Sequence, residues 1–364
     1  MKRYKVASVV GARPQFIKLG LVSQALQSEG KMLREILIHT GQHYDYEMSD
    51  LFFKELKLKR PDYHLKCGSG SQGAQTGKML AGIERILYKE KPDLALVYGD
   101  TNTTLAGALA AVKLGIPIAH VEAGLRSYNW TMPEEVNRVV TDRLSTVLFC
   151  PTVHSSENLA KEGIRKNVYV VGDVMIDMLQ RFEEVSEARS RILEKLDLSS
   201  KKYYLTTIHR PVNADRPDAL RGLLNLFKKL DLPVIFPIHP RTKKQLSSRR
   251  YAFQNLQLIE PVGYLDMLLL EKHARAILTD SGGVQKEAYY FQVPCLTLRE
   301  ETEWVETVES GWNRLVGNDP RKILRTLQSL PKGENRNHLF GNGRASQKTA
   351  RQIRRYLQIE RRSL

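Results

Sequence analysis

The chain has 364 residues, 56 of them Lys or Arg and 40 Asp or Glu, for a formal net charge of +16. That length exceeds the size at which a single hydrophobic core stops growing, so two domains of about 150–200 residues are expected. A composition of 42% hydrophobic and 26% charged residues argues against a fibrous repeat or long disorder. Cys67, Cys150 and Cys295 form no CxxC pair. Neither a disulfide framework nor a thiolate metal site is therefore expected, and a cytoplasmic location is. No stretch reaches the ~18 apolar residues of a membrane span. The run MKRYKVASVVGARPQ lacks a small-residue cleavage site and reads as a first strand entering a turn.

A positive balance fits a nucleic-acid binder or an enzyme with a phosphorylated substrate. Residues 344–364 hold seven Arg/Lys against Glu360 alone and supply +6 of the +16. Ala350, Ile353 and Leu357 recur there at helical spacing, which predicts a terminal helix packed along one stripe with a solvated basic face. No RNP-like, zinc-finger or helix-turn-helix signature is present, and the basic tail is not interleaved with aromatics, so no nucleic-acid partner is expected.

In chain order, residues 6–10 form a β-rich run followed by GARPQ and IKLGLVSQALQ: strand, phosphate-sized turn, helix. The pattern recurs at ILIHTGQ (36–42), DLALVYGD (93–100), GIPIAHVEAG (115–124), TVLFCPT (146–152) and NVYVVGD (167–173). A charged helical stretch over about 176–196 leads to a second series, YYLTTIHRP (203–211), LPVIFPIHP (232–240), LQLIEPVGY (256–264), ARAILTDSGG (274–283) and VPCLTLRE (293–300). Strands alternating with helices predict parallel sheets, apolar on both faces. The expected fold class is α/β, with two Rossmann-like doubly wound domains facing a central cleft. The first spans 1–175, joined by a terminal helix over 342–364; the second spans 176–341.

Candidate chemistry sits at the strand ends. Arg13 at a helix entrance and Lys18 about one turn in suit an anion, with clamping of the turn as the alternative for Arg13. The motif is neither a Rossmann fingerprint nor a Walker loop. Gln42 and His43 offer neutral donors after a strand. Asp100 follows an apolar strand, and Thr103 and Thr104 are candidate caps for the next helix. No adjacent second carboxylate completes a hard-cation set there, so no metal is expected. Asp100, Glu122 and Glu134 come from different loops as an acid–base set would, with Arg138 close in sequence to Glu134. In the second half His209 and His239 follow strands and suit a diphosphate. Ser281, Gly282 and Gly283 can present backbone N–H groups to phosphate at a helix start, and Glu287 suits ribose hydroxyls.

These motifs together, GARPQFIK, TGQH, GDTNTTLAGALAA, HVEAGLRS, PEEVNR, the HR at 209–210, the HP at 239–240 and TDSGGVQKEA, resemble the non-hydrolysing UDP-N-acetylglucosamine 2-epimerases. The resemblance covers nearly the full chain and implies a glycosyltransferase-B-type fold, a UDP-sugar substrate, a homodimer and no redox cofactor. It implies acidic catalytic positions at Asp100, Glu122 and Glu134. Basic positions around sugar and diphosphate are implied at Arg13, Lys18, Arg138 and His209, and a UDP loop at Ser281, Gly282, Gly283 and Glu287. The implied reaction removes the C2 proton and expels UDP from C1, then returns UDP with protonation of the opposite C2 face.

The sequence departs from the family's commonest form in two places. Gln15 stands where a glutamate is usual, and Trp304 stands where an arginine is usual. The second variant is similar to the branch acting on UDP-2,3-diacetamido-2,3-dideoxy-glucuronate, which makes Trp304 a specificity candidate. UDP-N-acetylglucosamine is the expected substrate, with that uronate as the alternative. A hydrolysing epimerase, a glycosyltransferase and a UDP-sugar-binding protein without turnover are the further alternatives.

Overall fold

A computed structural model describes residues 3–30, 32–42, 60–238, 242, 243, 245, 255–334 and 338–360. The chain divides into two compact units, Met1–Met178 with His338–Leu364, and Leu179–Asn337. The first holds a seven-stranded sheet of β1 (Tyr4–Val10), β2 (Leu33–His39), β3 (Tyr63–His64), β4 (Leu94–Tyr98), β5 (Ile118–Val121), β6 (Val147–Cys150) and β7 (Val168–Val170). Its order is β3-β2-β1-β4-β5-β6-β7, and every described pairing is parallel. The second holds β8 (Tyr204–Thr207), β9 (Val234–Pro237), β10 (Leu256–Ile259), β11 (Ala276–Thr279), β12 (Cys295–Thr297) and β13 (Asn313–Leu315). Here the order is β10-β9-β8-β11-β12-β13, again parallel.

Helices connect the strands and cover the sheets, so the central strands are buried on both faces and read as continuous apolar runs. All five residues of β4, LALVY, are buried. In each sheet the strand order reverses once, between β1 and β4 and between β8 and β11. At such a point the two connections leave in opposite directions and open a crevice beyond the carboxyl ends of the strands. The loops at these two points are those after Val10 and Tyr98, and after Thr207 and Thr279.

The change of unit falls within the helix Val174–Arg189. The terminal helix Ala345–Glu360 packs on the helix Arg13–Ser28. Ala350, Ile353 and Leu357 form its buried stripe, and Arg354 on its flank pairs with Glu29 at 2.7 Å. Its start is fixed by Asp177, whose carboxylate accepts from the Ala345 N–H (3.0 Å), the Ser346 N–H (2.8 Å) and the Ser346 hydroxyl (2.6 Å). No helix among the described residues is long and apolar enough to cross a membrane.

Asp177→Ala removes the acceptor for two otherwise orphaned N–H groups, so an unfolding free energy lower by about 1–2 kcal/mol is expected. Urea denaturation followed by circular dichroism measures it, and an unchanged midpoint would show that the helix start is held by other contacts.

Candidate active site

At the β1/β4 switch point the chain places cations and carboxylates alternately. Lys18, on the second turn of the Arg13–Ser28 helix, ion-pairs with Glu122, and both side chains are under a tenth exposed. Glu122 leaves β5 with a left-handed backbone (φ 74°), a conformation that costs a non-glycine residue about 1–3 kcal/mol and concentrates at functional positions. Gly99 (φ 63°) lies directly against this pair: a side chain there would come 3.1 Å from the Glu122 carboxylate and 3.4 Å from the Lys18 ammonium. The adjacent Asp100 pairs with Arg138 at 3.0 Å, and Arg138 also reaches Glu135 at 3.4 Å. Desolvation raises the Asp100 carboxyl above its ordinary value. Arg138 and Lys18 oppose that shift, while the like charges of Glu122 and Glu134 add to it. Asp100, Glu122 and Glu134 thus share one electrostatic neighbourhood.

Amides and hydroxyls tie the two loops together. Gln15 accepts from the Gly11 and Ala12 N–H groups (2.8 and 3.0 Å) and donates to the Tyr98 carbonyl (2.9 Å) and the Thr104 hydroxyl (3.0 Å). An amide suits this place because it donates and accepts at once. Gln42 accepts from the Thr103 hydroxyl (2.8 Å) and N–H (3.2 Å). The helix Asn102–Lys113 is capped by Thr101, which accepts from the Thr104 N–H. This corrects in part the expectation that Thr103 or Thr104 caps it: Thr101 is the cap, and Thr104 completes a capping box by accepting from the Thr101 N–H (3.2 Å) while donating to the Tyr98 carbonyl (2.6 Å).

Beneath these loops lies a buried polar network. His120 on β5 meets the Gly99 carbonyl and Asp142, both at 2.7 Å. Asp142 also accepts from the Gly124 N–H (3.0 Å) and Arg126 (2.7 Å), and Arg126 forks onto Glu162 at 2.7 and 2.8 Å. Burial alone would raise the Asp142 carboxyl, but His120 and Arg126 outweigh it and hold it below its ordinary value. Glu135, a neighbour of Glu134, accepts from the Ser127 and Tyr128 N–H groups, each at 2.9 Å.

In the second unit the β8/β11 switch point is built the same way. Asp280 is fully buried and accepts from the His209 N–H (3.1 and 3.2 Å), the Arg210 N–H (3.0 Å) and Asn213 (3.1 Å). The His209 imidazole lies 3.3 Å from the same carboxylate, with 37% of its side chain exposed. Ser281 caps the helix Gly282–Tyr290 by accepting from the Val284 N–H. Gly282 is packed against Glu303 and Trp304, where a side chain would come within 2.7–2.8 Å of them. At Gly283 there is room, the nearest atom being the Ser281 hydroxyl at 3.7 Å. Trp304 is buried, with the Lys286 ammonium 3.7 Å from its ring centre. Glu303 pairs with Arg299 at 2.9 Å. Glu287 is 7% exposed on the Gly282–Tyr290 helix.

His43 and His239 lie outside the described residues, as does the side chain of Arg13, whose backbone opens its helix. The three thiols are free, and burial pushes Cys150 and Cys295 up to about 12, so neither offers a thiolate near neutrality. Among the described residues no three His, Cys, Asp or Glu side chains form a metal-holding group.

The family model described as UDP-N-acetylglucosamine 2-epimerase matches residues 24–354. The chain belongs to the non-hydrolysing UDP-N-acetylglucosamine 2-epimerase family. A UDP-N-acetylglucosamine 2-epimerase homolog of Methanococcus maripaludis is 52% identical, over 96% of this chain and 99% of its own. The UDP-2,3-diacetamido-2,3-dideoxy-D-glucuronate 2-epimerase of Pseudomonas aeruginosa is 45% identical, over 95% and 98%. The crystal structure of the Methanocaldococcus jannaschii UDP-GlcNAc 2-epimerase, in complex with UDP-GlcNAc and UDP, matches with a TM-score of 0.88. It is 43% identical and covers 98% of this chain and 100% of that one.

For this 2-epimerase family member, sequence reasoning missed the supports beneath the site. From the sequence Gln15 stands only as a departure from the family's commonest form, and neither Asp142, Asp280 nor the bridging His120 carries an assigned role. The HVEAG and TDSGG motifs contain or adjoin all but Asp142 and Gln15, so the remaining signal was a polar residue embedded in a motif otherwise assigned to ligand.

Asp142→Ala strips His120, Arg126 and the Gly124 N–H of a buried acceptor, and a loss of about 3–5 kcal/mol in unfolding free energy is expected. Because the folded carboxyl sits below its unfolded value, its contribution is present above pH ~4 and is lost as pH falls through the folded value. Chemical denaturation from neutral to acid pH should therefore show a shallower acid slope for Asp142→Asn than for the wild type.

Proposed function

We propose that this chain catalyses non-hydrolysing C2 epimerisation of UDP-N-acetylglucosamine to UDP-N-acetylmannosamine. The observation that carries the reading is the gathering of Asp100, Glu122 and Glu134 with Lys18 and Arg138 at one switch point, in a chain matching 2-epimerases over nearly its whole length. A proton leaves C2 to a carboxylate as the C1–O bond to UDP breaks, giving a C1=C2 glycal and UDP, both held in the site. UDP then adds back to C1 while a carboxyl group delivers a proton to the other face of C2. No net oxidation occurs, so the chain's own groups carry the chemistry.

The C2 proton is weakly acidic, which makes stabilisation of the departing diphosphate the main physical demand. In this reading Arg13, Lys18, Arg138, His209 and His239 supply positive charge and donors, and Gln42 and His43 hold the sugar. Asp100, Glu122 and Glu134 divide the proton transfers between unlike environments. Gly283 has neither a tight neighbour nor a left-handed backbone to demand glycine. Close approach of a phosphate to the Ser281, Gly282 and Gly283 N–H groups supplies a reason for it. Glu287 takes the ribose hydroxyls. The glycosyltransferase-B-type fold, a homodimer and a cytoplasmic location belong to the same proposal.

The second substrate reading, UDP-2,3-diacetamido-2,3-dideoxy-glucuronate, is favoured by Trp304 and by the Pseudomonas relative. Trp304 packs against Gly282 of the proposed phosphate loop and carries the buried Lys286 ammonium over its ring.

Incubation with each UDP-sugar in D2O tests the reading. The expected result is the UDP-linked C2 epimer carrying deuterium at C2, with total nucleotide-sugar conserved. Free UDP accumulating with product would indicate a hydrolysing enzyme, transfer without C2 exchange a glycosyltransferase, and binding without exchange a carrier. Glu122→Gln or Asp100→Asn is expected to lower exchange by about 10²–10⁴ while UDP still binds.

Arg138→Gln removes a cation that holds the Asp100 carboxyl down against burial. The pH limb of kcat/KM due to Asp100 is therefore expected to move to higher pH; an unmoved limb would separate Asp100 from the rate-limiting proton transfer.

A further inference from the structure

The helix Tyr264–His273 carries one acidic residue that faces inward. Glu271 is fully buried, and neither of its carboxyl oxygens meets a hydrogen-bond donor. This helix packs against Gly282–Tyr290, and the group that Glu271 meets there is the carboxyl of Glu287. The charged residues next to Glu271 are engaged elsewhere. Lys272 pairs with Glu183 (2.8 Å) and Glu187 (2.9 Å), and His273 with Glu187 (3.1 Å). Asp266 accepts from Ser190 (2.5 Å), and Lys286 lies over Trp304. The other titratable groups facing Glu271 are Tyr203, ahead of β8, and Cys295 on β12, both held neutral by burial in the same apolar cluster. Among the described residues no cation pairs with Glu271.

When two carboxyls meet and one of them, Glu271, is fully buried with neither donor nor cation among the described residues, both cannot be ionised; they share a proton, as acid pairs do. We propose that Glu271 carries that proton and donates it to Glu287, making Glu271 a positioning residue for the carboxylate that recognises the ribose of the nucleotide. This rests on the assignment of Glu287 to the ribose hydroxyls made above. The neutral acid fixes the rotamer of Glu287 and keeps the negative charge on it, where the ribose hydroxyls are to be met. Burial and the neighbouring Glu287 both raise the Glu271 carboxyl well above its ordinary value. Its contribution to stability is therefore full below the unfolded value and is lost as pH rises. A role in binding thus runs against stability near and above neutrality, and the two can be separated by measurement.

The experiment is calorimetric titration of UDP and of 2′,3′-dideoxy-UDP into the full-length wild type, Glu271→Met and Glu271→Gln across neutral and alkaline pH, with thermal unfolding in parallel. Glu271→Met is expected to weaken UDP about tenfold, the worth of one hydrogen bond to a charged group. It should leave dideoxy-UDP unaffected and raise the unfolding temperature. Glu271→Gln, whose amide still donates to Glu287, should keep UDP affinity within a few-fold of wild type. It should also lose the decline in affinity that the wild type shows as pH rises. The proposal is overturned if Glu271→Met binds UDP as the wild type does, or weakens both nucleotides equally. It also falls if Glu287→Gln leaves UDP affinity unchanged, since the ribose assignment then fails. C2 exchange by the wild type in that last case would leave the epimerase reading standing.

Discussion

A parallel sheet covered by helices on both faces has no wet side, and much of this molecule follows from that. Polar side chains within β1, β4, β8 or β11 lose water and must find a partner inside, as Ser8 does on Glu35 and Thr206 on the Leu278 carbonyl, so few are tolerated there. The chemistry is therefore displaced to the residues just beyond the strands, where backbone N–H groups at helix starts are still free. The order of the strands then decides which ends matter. β1 and β4, and β8 and β11, are neighbours whose connections leave in opposite directions. The loops Gly11/Ala12 and Gly99/Asp100, and His209/Arg210 and Asp280/Ser281, are paired for that reason.

Pairing loops is not enough to hold them at fixed separation. Each pair is laced by a residue that makes several hydrogen bonds at once: Gln15 between the ends of β1 and β4, and Asp280 between those of β8 and β11. In the first unit a deeper network through His120, Asp142 and Arg126 carries the support outward to Glu162. Such networks are costly when incomplete and rigid when complete. The left-handed backbone of Glu122 is affordable because both its neighbours in the chain and its Lys18 partner are fixed.

The sheets, their parallel sense and the strand-end clusters were legible in the sequence, because apolar runs of four to seven residues ending in Gly, Asp, His or Ser carry that signal locally. Asp142, Gln15 and Asp280 act on partners far along the chain, and spacing says nothing about such contacts. Three threonines in a short polar stretch all satisfy the composition of a cap, and only the backbone path makes Thr101 the cap and Thr104 its capping-box partner. Glu271 sits in LDMLLLEKH beside Lys272 and reads as the start of a solvated charged end. Its inward turn follows from helix phase against a neighbour that the local pattern does not contain.

The terminal helix docks on the first helix of the first unit through its buried stripe, with Asp177 receiving its leading N–H groups. During synthesis that helix emerges only after all of residues 179–337. At about 5–20 residues per second the interval is on the order of ten seconds or more. The apolar face of Arg13–Ser28 and the Asp177 carboxylate must wait uncovered for that time while the second unit folds. The unit that begins first is thus completed last.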